Sequence, residues 1–188
     1  MGNSGKLLTK AHDDHEGALL AYTIGHSTHP LPEFTRLLHA HSIEVVADVR
    51  TIPRSRHNPQ FNVETLPSDL KEEGIAYEHM KGLGGLRKAQ RDSVNTGWRN
   101  ASFRGFADYM QTGEFTEHFE RLVGMIESRR TVIMCAEALP WRCHRLLISD
   151  ALVVRGVKVF HISGDGKAGP HTLTSFARVK GASLTYPG

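Results

Sequence analysis

Short apolar runs alternate with longer amphipathic stretches, and this alternation restricts the possible folds more than any other feature of the chain. The pattern predicts five buried strands, at residues 18–24, 43–49, 75–79, 131–135 and 157–162. Helical spacing fills most of the intervals between them. Parallel neighbours in a sheet need crossover connections of this length. The sequence therefore predicts an α/β fold: a single domain with a mainly parallel, Rossmann-like sheet of about five strands and helices on both faces.

The helices are expected at residues 32–41, about 66–74, 102–113, 115–126 and 143–155. In the third of these, Ser102 has the residue type of an N-cap. The fifth would begin at Cys143 and be closed by Gly156. Residues 81–97 lack periodicity and predict a long basic loop, and the weakly patterned C terminus predicts one short helix near residues 172–179.

Composition excludes several classes of protein. With 39% apolar and 23% charged residues in a chain of 188, the protein has the profile of a folded globular domain. No apolar run approaches the ~18 residues of a membrane span, and residues 1–17 hold no apolar stretch of signal-peptide length. We expect a polar tail over residues 1–17, one domain over residues 18–188, a cytoplasmic location and no membrane partner. Two cysteines are too few for a disulfide scaffold.

Positive charge is concentrated in two segments, residues 49–63 and 81–104. Together they carry nine Lys and Arg residues against one acid, so their net charge is +8 in a chain whose total is +3. Three aromatic residues, Phe61, Trp98 and Phe103, are interleaved with the arginines and would suit stacking on nucleic-acid bases. The segments are predicted to be loops, so they favour an anion site over a generally basic surface.

Polar, reactive or anion-binding residues follow every predicted strand. They are His26 and Ser27 after the first strand, Asp48, Arg50 and Arg54 after the second, Gly84 and Gly85 after the third, Cys135 and Glu137 after the fourth, and His161 after the fifth. Ligands of open parallel sheets bind outside the carboxyl ends of the strands. These residues therefore predict one pocket at that edge.

Several of these motifs occur in a known order. YTIGHS (22–27), VVADVRTIPRSR (45–56), LGGLR (83–87), VIMCAEALPWRCHR (132–145) and VFHI (159–162) resemble, in order and spacing, a bacterial family, domain of unknown function 488. The resemblance covers about residues 20–165. It implies a small α/β domain with a shared site, and the family brings no established reaction with it.

The densest group of reactive residues is CAEALPWRCHR, residues 135–145. At the expected helix start, Cys143 and His144 lie between Arg142 and Arg145, where the helix dipole and two cations would favour a bound anion and a thiolate. Cys135 would be buried at a strand end. A cysteine phosphatase is disfavoured because Cys135 to Arg142 is one residue longer than the Cys-x5-Arg phosphate loop.

The sequence leads to an enzyme-like hypothesis for a hydrolase or a glycosyl- or phosphoryl-transfer enzyme. Its substrate would be a nucleotide, nucleoside derivative or nucleic acid. The candidate catalytic residues are Glu137, Cys143, His26 and Asp48, and the candidate substrate-binding residues are Ser27, Arg50, Arg54, Gly84, Gly85, Arg142, His144 and Arg145. Glu137 is the preferred general base, whereas Asp48 could equally pair with Arg50 and His26 could bind its neighbouring loop.

Two alternatives belong to other classes. One is a non-catalytic nucleic-acid-binding module, in which the same arginines follow phosphates. The other is a thiol- or metal-dependent enzyme. No cofactor is predicted, because Cys-x7-Cys is not a familiar zinc spacing and adjacent Cys143 and His144 at a helix start should point apart. A divalent metal is kept as an alternative, and the oligomeric state is open.

Overall fold

The fold is known from a computed structural model, which describes residues 18–188; the expected polar tail, residues 1–17, lies outside the described residues. Six strands form one sheet in the order β3-β2-β4-β1-β5-β6. The first five run parallel, and β6 pairs antiparallel with β5 at one edge. The predicted α/β fold with a mainly parallel sheet is confirmed.

The strands of this sheet are β1 (Leu20–Gly25), β2 (Val45–Asp48), β3 (Ala76–His79), β4 (Thr131–Cys135), β5 (Lys158–Ile162) and β6 (Ala168–Pro170). The helices are α1 (Leu31–Ala40), α2 (Leu66–Glu72), α3 (Ala101–Tyr109), α4 (Gly113–Ser128) and α5 (Arg145–Val154). A small hairpin of β7 (Arg178–Lys180) and β8 (Ser183–Thr185) lies near the C terminus. All five strands expected from the sequence end within two residues of their predicted bounds.

Two apolar cores lie on opposite faces of the sheet, because successive side chains of a strand point to opposite sides. In β4, Val132 and Met134 pack with α1 and α2, whereas Ile133 and Cys135 pack with α3, α4 and α5. The helices therefore cover both faces, as predicted. This arrangement leaves the carboxyl edge of the strands open to the loops that carry the candidate site.

Three local predictions are wrong. The side chain of Asn100, not Ser102, caps α3, because its carbonyl oxygen accepts the backbone N–H groups of Ser102 and Phe103. The fifth helix begins at Arg145 rather than Cys143, since residues 140–142 form a separate 3-10 turn and Cys143 is extended. Residues 172–179 form no helix; a loop leads into β7 instead.

No helix within residues 18–188 combines the length and the apolar character needed to cross a membrane.

Candidate functional site

Two adjoining cavities open at the carboxyl edge of the parallel strands, with volumes of about 360 Å³ and about 490 Å³. They share the wall formed by Arg50, Ile52, Ala136 and Glu137. The first cavity is also lined by Gly85, Arg142 and the sequence-predicted trio Cys135, Cys143 and His144, and the second by His26, Ser27 and Arg54. Most of the candidate residues therefore converge on one edge of the sheet.

Gly25 brings the loops after β1 and β4 together. A Cβ atom at this position would overlap the carbonyl oxygen of Glu137, so only glycine permits the approach. The backbone N–H groups of His26 and Ser27 donate to the carbonyls of Cys135 and Ala136 at 2.9 and 3.0 Å. This extension of the strand pairing fixes the start of the segment that carries Glu137.

Cys135, Cys143 and His144 form a compact cluster that could hold a metal ion. Their Sγ, Sγ and Nδ1 atoms all lie within 4.8 Å of one another, and Cys143 Sγ is 3.6 Å from His144 Nδ1. The expectation that Cys143 and His144 point apart is wrong, because Cys143 is extended and precedes the N-cap position of α5. Local backbone conformation thus brings together two side chains that a continuous helix would have separated.

The orientation of the His144 ring is set from its other nitrogen. Nε2 lies 3.1 Å from the carbonyl oxygen of Val49, which can only accept, so Nε2 carries the hydrogen. In the neutral ring the lone pair is then on Nδ1, the atom that faces Cys143. A Cβ at Gly85 would overlap this ring, and one at Gly84 would overlap the Thr51 hydroxyl. Both glycines therefore let their loop pack closely; their substrate-binding role stays a prediction.

The two cysteines are free, buried and different in their acidity. A hydrogen bond with the Cys135 thiol, helped by the charge of Arg145, holds the pKa of Cys143 well below its usual value, despite burial. The same hydrogen bond and burial raise the pKa of Cys135. Cys143 is therefore the more acidic of the two thiols.

Arg145 lies beneath the cluster and is 1% exposed. Its Nε donates to Cys143 Sγ at 3.4 Å, and its Nη2 donates to the carbonyl oxygen of Glu137. Neither partner is a carboxylate, so the sulfur is the group that offsets the buried positive charge. Arg145 is therefore part of the buried interior, and its side chain orients the cluster from below.

Arg50 is likewise buried, because it is the centre of a second polar network. Its guanidinium binds both carboxylate oxygens of Asp48, with Nη2 at 2.6 Å from Oδ2, and Nη2 also donates to the carbonyl oxygen of Phe61 at 2.8 Å. Asp48 is fully buried and accepts a further hydrogen bond from the Tyr77 hydroxyl at 2.7 Å. Of the two roles weighed for Asp48, pairing with Arg50 is the one that its contacts support.

His26 joins this network with both ring nitrogens. Nδ1 donates to the carbonyl oxygen of Ser27 at 2.9 Å, and Nε2 accepts from Arg50 Nη1 at 3.1 Å. Burial, and then the charge of Arg50, lower the pKa of His26 to about 4, so the ring is neutral at physiological pH. Its contacts match the alternative role considered for it, that of holding the neighbouring loop, and its proposed proton-donor role is untested.

The charged groups that a ligand could reach are Glu137, Arg142 and Arg54. The Glu137 carboxylate accepts from the Leu139 N–H at 3.3 Å, lies 4.0 Å from Arg142 Nε, and has a side chain that is 37% exposed. Arg142 and Arg54 are 67% and 70% exposed, and Arg54 pairs with Glu64. These residues flank the shared wall of the two cavities, one arginine on each side.

Sequence reasoning did not single out the apolar residues at the mouth of the first cavity. Ile52 and Leu86 are 66% and 72% exposed there, and Phe103 lies behind them. The sequence signal for these two residues was that each is a large apolar residue within one of the two basic segments. Conversely, the aromatic residues expected to stack on bases are taken up in packing: Phe61 and Phe103 are buried, and Trp98 contacts three aromatic rings.

The expectation that His161 lines the same pocket is wrong, because His161 borders a third cavity and belongs to a polar group that sequence reasoning did not recognise. Thr23 Oγ1 donates to His161 Nδ1 at 2.7 Å, His161 Nε2 donates to His171 Nδ1 at 3.0 Å, and His171 Nε2 donates to Asp150 Oδ1 at 2.8 Å. Asp150 also accepts the Tyr186 hydroxyl at 2.8 Å. We call these five residues the histidine chain. It borders a third cavity of about 740 Å³, on the other side of the 138–141 loop.

Fold and site together define a small parallel α/β protein with a Cys-Cys-His cluster and a reachable carboxylate at the carboxyl edge of its sheet. The model of the family described as Domain of unknown function DUF488 matches residues 30–152, and the chain belongs to this family. The matched range includes the cluster, Val49, Gly85, Glu137 and Arg145, and it stops before β5 and most of the histidine chain. No curated protein and no solved structure matches the chain.

Proposed function

We propose that the protein is an enzyme of the hydrolase or group-transfer type that acts on a small anionic, nucleotide-like substrate, with Glu137 as its acid-base group. One observation carries this proposal. The Glu137 carboxylate lies on the wall between the two cavities and is still solvent-accessible, in a region where the other acidic group, Asp48, is locked in a buried ion pair. A general base has to be within reach of the proton that it removes.

The walls of the two cavities suit the two ends of such a substrate. The first cavity offers the exposed apolar side chains of Ile52 and Leu86, which would pack against a flat ring. The second offers the hydroxyl of Ser27 and the guanidinium of Arg54 to a charged group. Their volumes of about 360 and about 490 Å³ lie within the range of ~300–1,000 Å³ that is usual for small-ligand pockets.

In the proposed reaction, the Glu137 carboxylate takes a proton from a water molecule as the water oxygen forms a bond to the electrophilic atom of the substrate. The bond from that atom to the leaving group then breaks, and Glu137 returns the proton to the leaving group. Arg142, with Nε 4.0 Å from the Glu137 carboxylate, would bind negative charge on the reacting group.

A small molecule fits these observations better than a nucleic-acid strand does. Stacking on bases needs exposed aromatic faces, and Phe61 and Phe103, which are 0% and 8% exposed, do not offer them. Of the four arginines predicted to bind phosphate, Arg50 and Arg145 are buried and engaged by the protein itself, which leaves Arg54 and Arg142 exposed. We therefore propose a compact anionic ligand rather than a polymer.

The test compares Glu137→Gln with the matched control Glu73→Gln, an exposed glutamate of the α2 end that pairs with His39. Wild-type protein is incubated with a panel of nucleotides, nucleosides and their base-modified derivatives, and products are followed by mass spectrometry. We expect Glu137→Gln to lose at least about 100-fold in turnover while keeping the ligand-induced rise in thermal midpoint, and Glu73→Gln to keep both. Full activity of Glu137→Gln, or no turnover by wild type of any panel member, would refute the proposal.

A further inference from the structure

We propose that Cys135, Cys143 and His144 bind one soft divalent metal ion of the zinc class, with the fourth coordination position open to the first cavity. This inference deepens the proposed function, because the ion would lie where the substrate binds. The metal site itself is argued from the cluster alone and does not depend on the reaction.

The distances within the cluster are those of a preformed site. Zinc lies about 2.3 Å from a thiolate sulfur and about 2.0–2.1 Å from an imidazole nitrogen, so tetrahedral ligands are roughly 3.5–3.8 Å apart. Cys143 Sγ and His144 Nδ1 are 3.6 Å apart, and all three ligand atoms lie within 4.8 Å of one another. The ligand atoms that are still too far apart have to approach from at most 4.8 Å to about 3.8 Å, a shift that is small for a side chain.

Contacts around the cluster orient His144 and Cys143 in the way that metal binding requires. The His144 Nε2–H bond to the Val49 carbonyl leaves the lone pair on Nδ1, which is the contact that typically orients a metal-binding histidine. Arg145 Nε–H donates to Cys143 Sγ at 3.4 Å. Donors of this kind favour thiolates over thiols. A purely structural buried cysteine pair would not need them.

Charge determines what the open position would hold. A divalent ion with two thiolates and a neutral imidazole has no net charge, so the buried Arg145 guanidinium beside it would be left without a counter-charge. A hydroxide or a substrate anion at the fourth position restores neutrality. Three protein ligands and one exchangeable position are the arrangement of catalytic rather than structural zinc.

Glu137 follows the proposed ligand Cys135 by two residues in the sequence. In zinc deaminases that act on nucleobases, the residue two positions after the first ligand is the glutamate that moves the proton of the metal-bound water. The same spacing here connects the metal site to the acid-base role proposed for Glu137. The apolar first cavity would supply the water-poor surroundings for that water.

The test measures metal binding directly. Full-length, tag-free protein is stripped with a chelator and titrated with Zn²⁺, and separately with Co²⁺. We expect one equivalent per chain, with a thiolate-to-cobalt charge-transfer band and the absorption of tetrahedral cobalt. His144→Ala and Cys135→Ser should weaken binding at least about 100-fold, whereas His39→Ala, which changes an exposed histidine, should leave it unchanged. The cobalt spectrum of wild type keeps the test decisive if a variant does not fold.

Several outcomes would overturn the inference. They are the absence of a stoichiometric site, a cobalt spectrum without a thiolate band, or binding that survives loss of both His144 and Cys135. Rapid alkylation of Cys143 in zinc-saturated protein would also count against it and would favour a metal-free thiolate enzyme. Stoichiometric zinc without turnover of any substrate would leave the metal site standing and refute the proposed function. Turnover by protein shown to be metal-free would leave the proposed function standing and refute an ion at the reacting centre.

Discussion

Two clusters of buried polar residues flank the start of α5, and they differ in how completely their atoms are partnered. In the histidine chain, Thr23 donates to His161, which donates to His171, which donates to Asp150, so all four ring nitrogens are used. In the Cys-Cys-His cluster, two sulfurs and a nitrogen of His144 lie close together beside a cavity, and outer contacts hold Cys143 and His144 in place. Both clusters contain buried polar side chains. Of the two, the Cys-Cys-His cluster is the one whose ligand atoms converge on a shared space.

The comparison teaches what each cluster can do. Because every ring nitrogen of the histidine chain already has a hydrogen-bond partner, a ligand in the neighbouring cavity meets no free ring nitrogen there. Its carboxylate, Asp150, ties the C-terminal segment to α5 through His171, Thr174 and Tyr186. We interpret the histidine chain as structural and the cluster as functional.

The largest effect should come from Asp150→Ala. Asp150 is fully buried, and its loss leaves four donor groups, those of His171, Thr174 (backbone N–H and hydroxyl) and Tyr186, without their acceptor. We expect the free energy of unfolding to fall by about 3–5 kcal/mol, with zinc binding unchanged wherever the variant is folded. Urea unfolding measures the first quantity and cobalt absorption the second. Asp92→Ala, at an exposed aspartate, is the control. Loss of metal binding in folded Asp150→Ala would erase the distinction between the two clusters.

The second effect is stabilisation by metal. An ion that binds only the folded state stabilises it by about 2.7 kcal/mol at a concentration 100-fold above its Kd. We expect Zn²⁺ to raise the urea midpoint of wild type and of His171→Gln, and to leave that of Cys135→Ser unchanged. His171→Gln serves as the control, since His171 belongs to the histidine chain and not to the Cys-Cys-His cluster. Stabilisation of Cys135→Ser by the same amount would place the ion elsewhere.

The third effect is a pH dependence that belongs to the histidine chain. Burial, followed by the nearby charges of His171 and Arg145, lowers the pKa of His161 to about 4. The unfolded state takes up the proton first, near the ordinary value of about 6.5, so stability is fully present above that pH and is lost as pH falls towards 4. His26, with a pKa of about 4, acts in the same direction.

This dependence can be isolated by substitution. In metal-free protein, we expect His161→Gln to remove part of the acid destabilisation, on the order of 1–2 kcal/mol between pH 7 and pH 4 once solvent screening of the half-buried ring is allowed for. Urea unfolding at a series of pH values gives the slope for each variant. Identical slopes for wild type and His161→Gln would mean that the pKa of His161 is the same in the folded and the unfolded protein.

The sequence predicted the sheet well because hydrophobic periodicity is a local property. The segment after β4 shows the limit of such reasoning. CHR resembles a helix start, yet Pro140 begins a separate turn and leaves Cys143 extended, which brings its sulfur to His144. The loop at residues 172–179 is held by Asp150, far away in sequence, so no local pattern could indicate it.

The candidate site was predictable in its membership more than in its roles. Strand ends identify which residues meet at the carboxyl edge, and the closeness of Asp48 and Arg50 in sequence already made their pairing one of the roles to consider. Whether an arginine binds ligand or holds the protein together depends on burial. Arg50 and Arg145 differ in that respect from Arg54 and Arg142 only through tertiary contacts.

The smallest effect concerns Gly85, whose missing side chain makes room for the His144 ring. A Cβ there would overlap Nδ1, Cγ and Cε1 of His144, so Gly85→Ala should push the ring out of line with the two sulfurs. We expect the free energy of unfolding to fall by about 1 kcal/mol and zinc affinity to fall about 10-fold, as for other losses of ligand orientation.

The matched control is Gly124→Ala in α4, where nothing lies within 4 Å of the added atom. That change should raise stability by about 0.5–1 kcal/mol, because alanine favours a helix over glycine, and should leave zinc affinity as it was. Isothermal titration with Zn²⁺ and urea unfolding of the three proteins provide both quantities. If Gly85→Ala binds zinc as tightly as Gly124→Ala does, the orientation of His144 does not depend on this loop, and the close approach of residues 84–86 has to be explained by the packing of Thr51 alone.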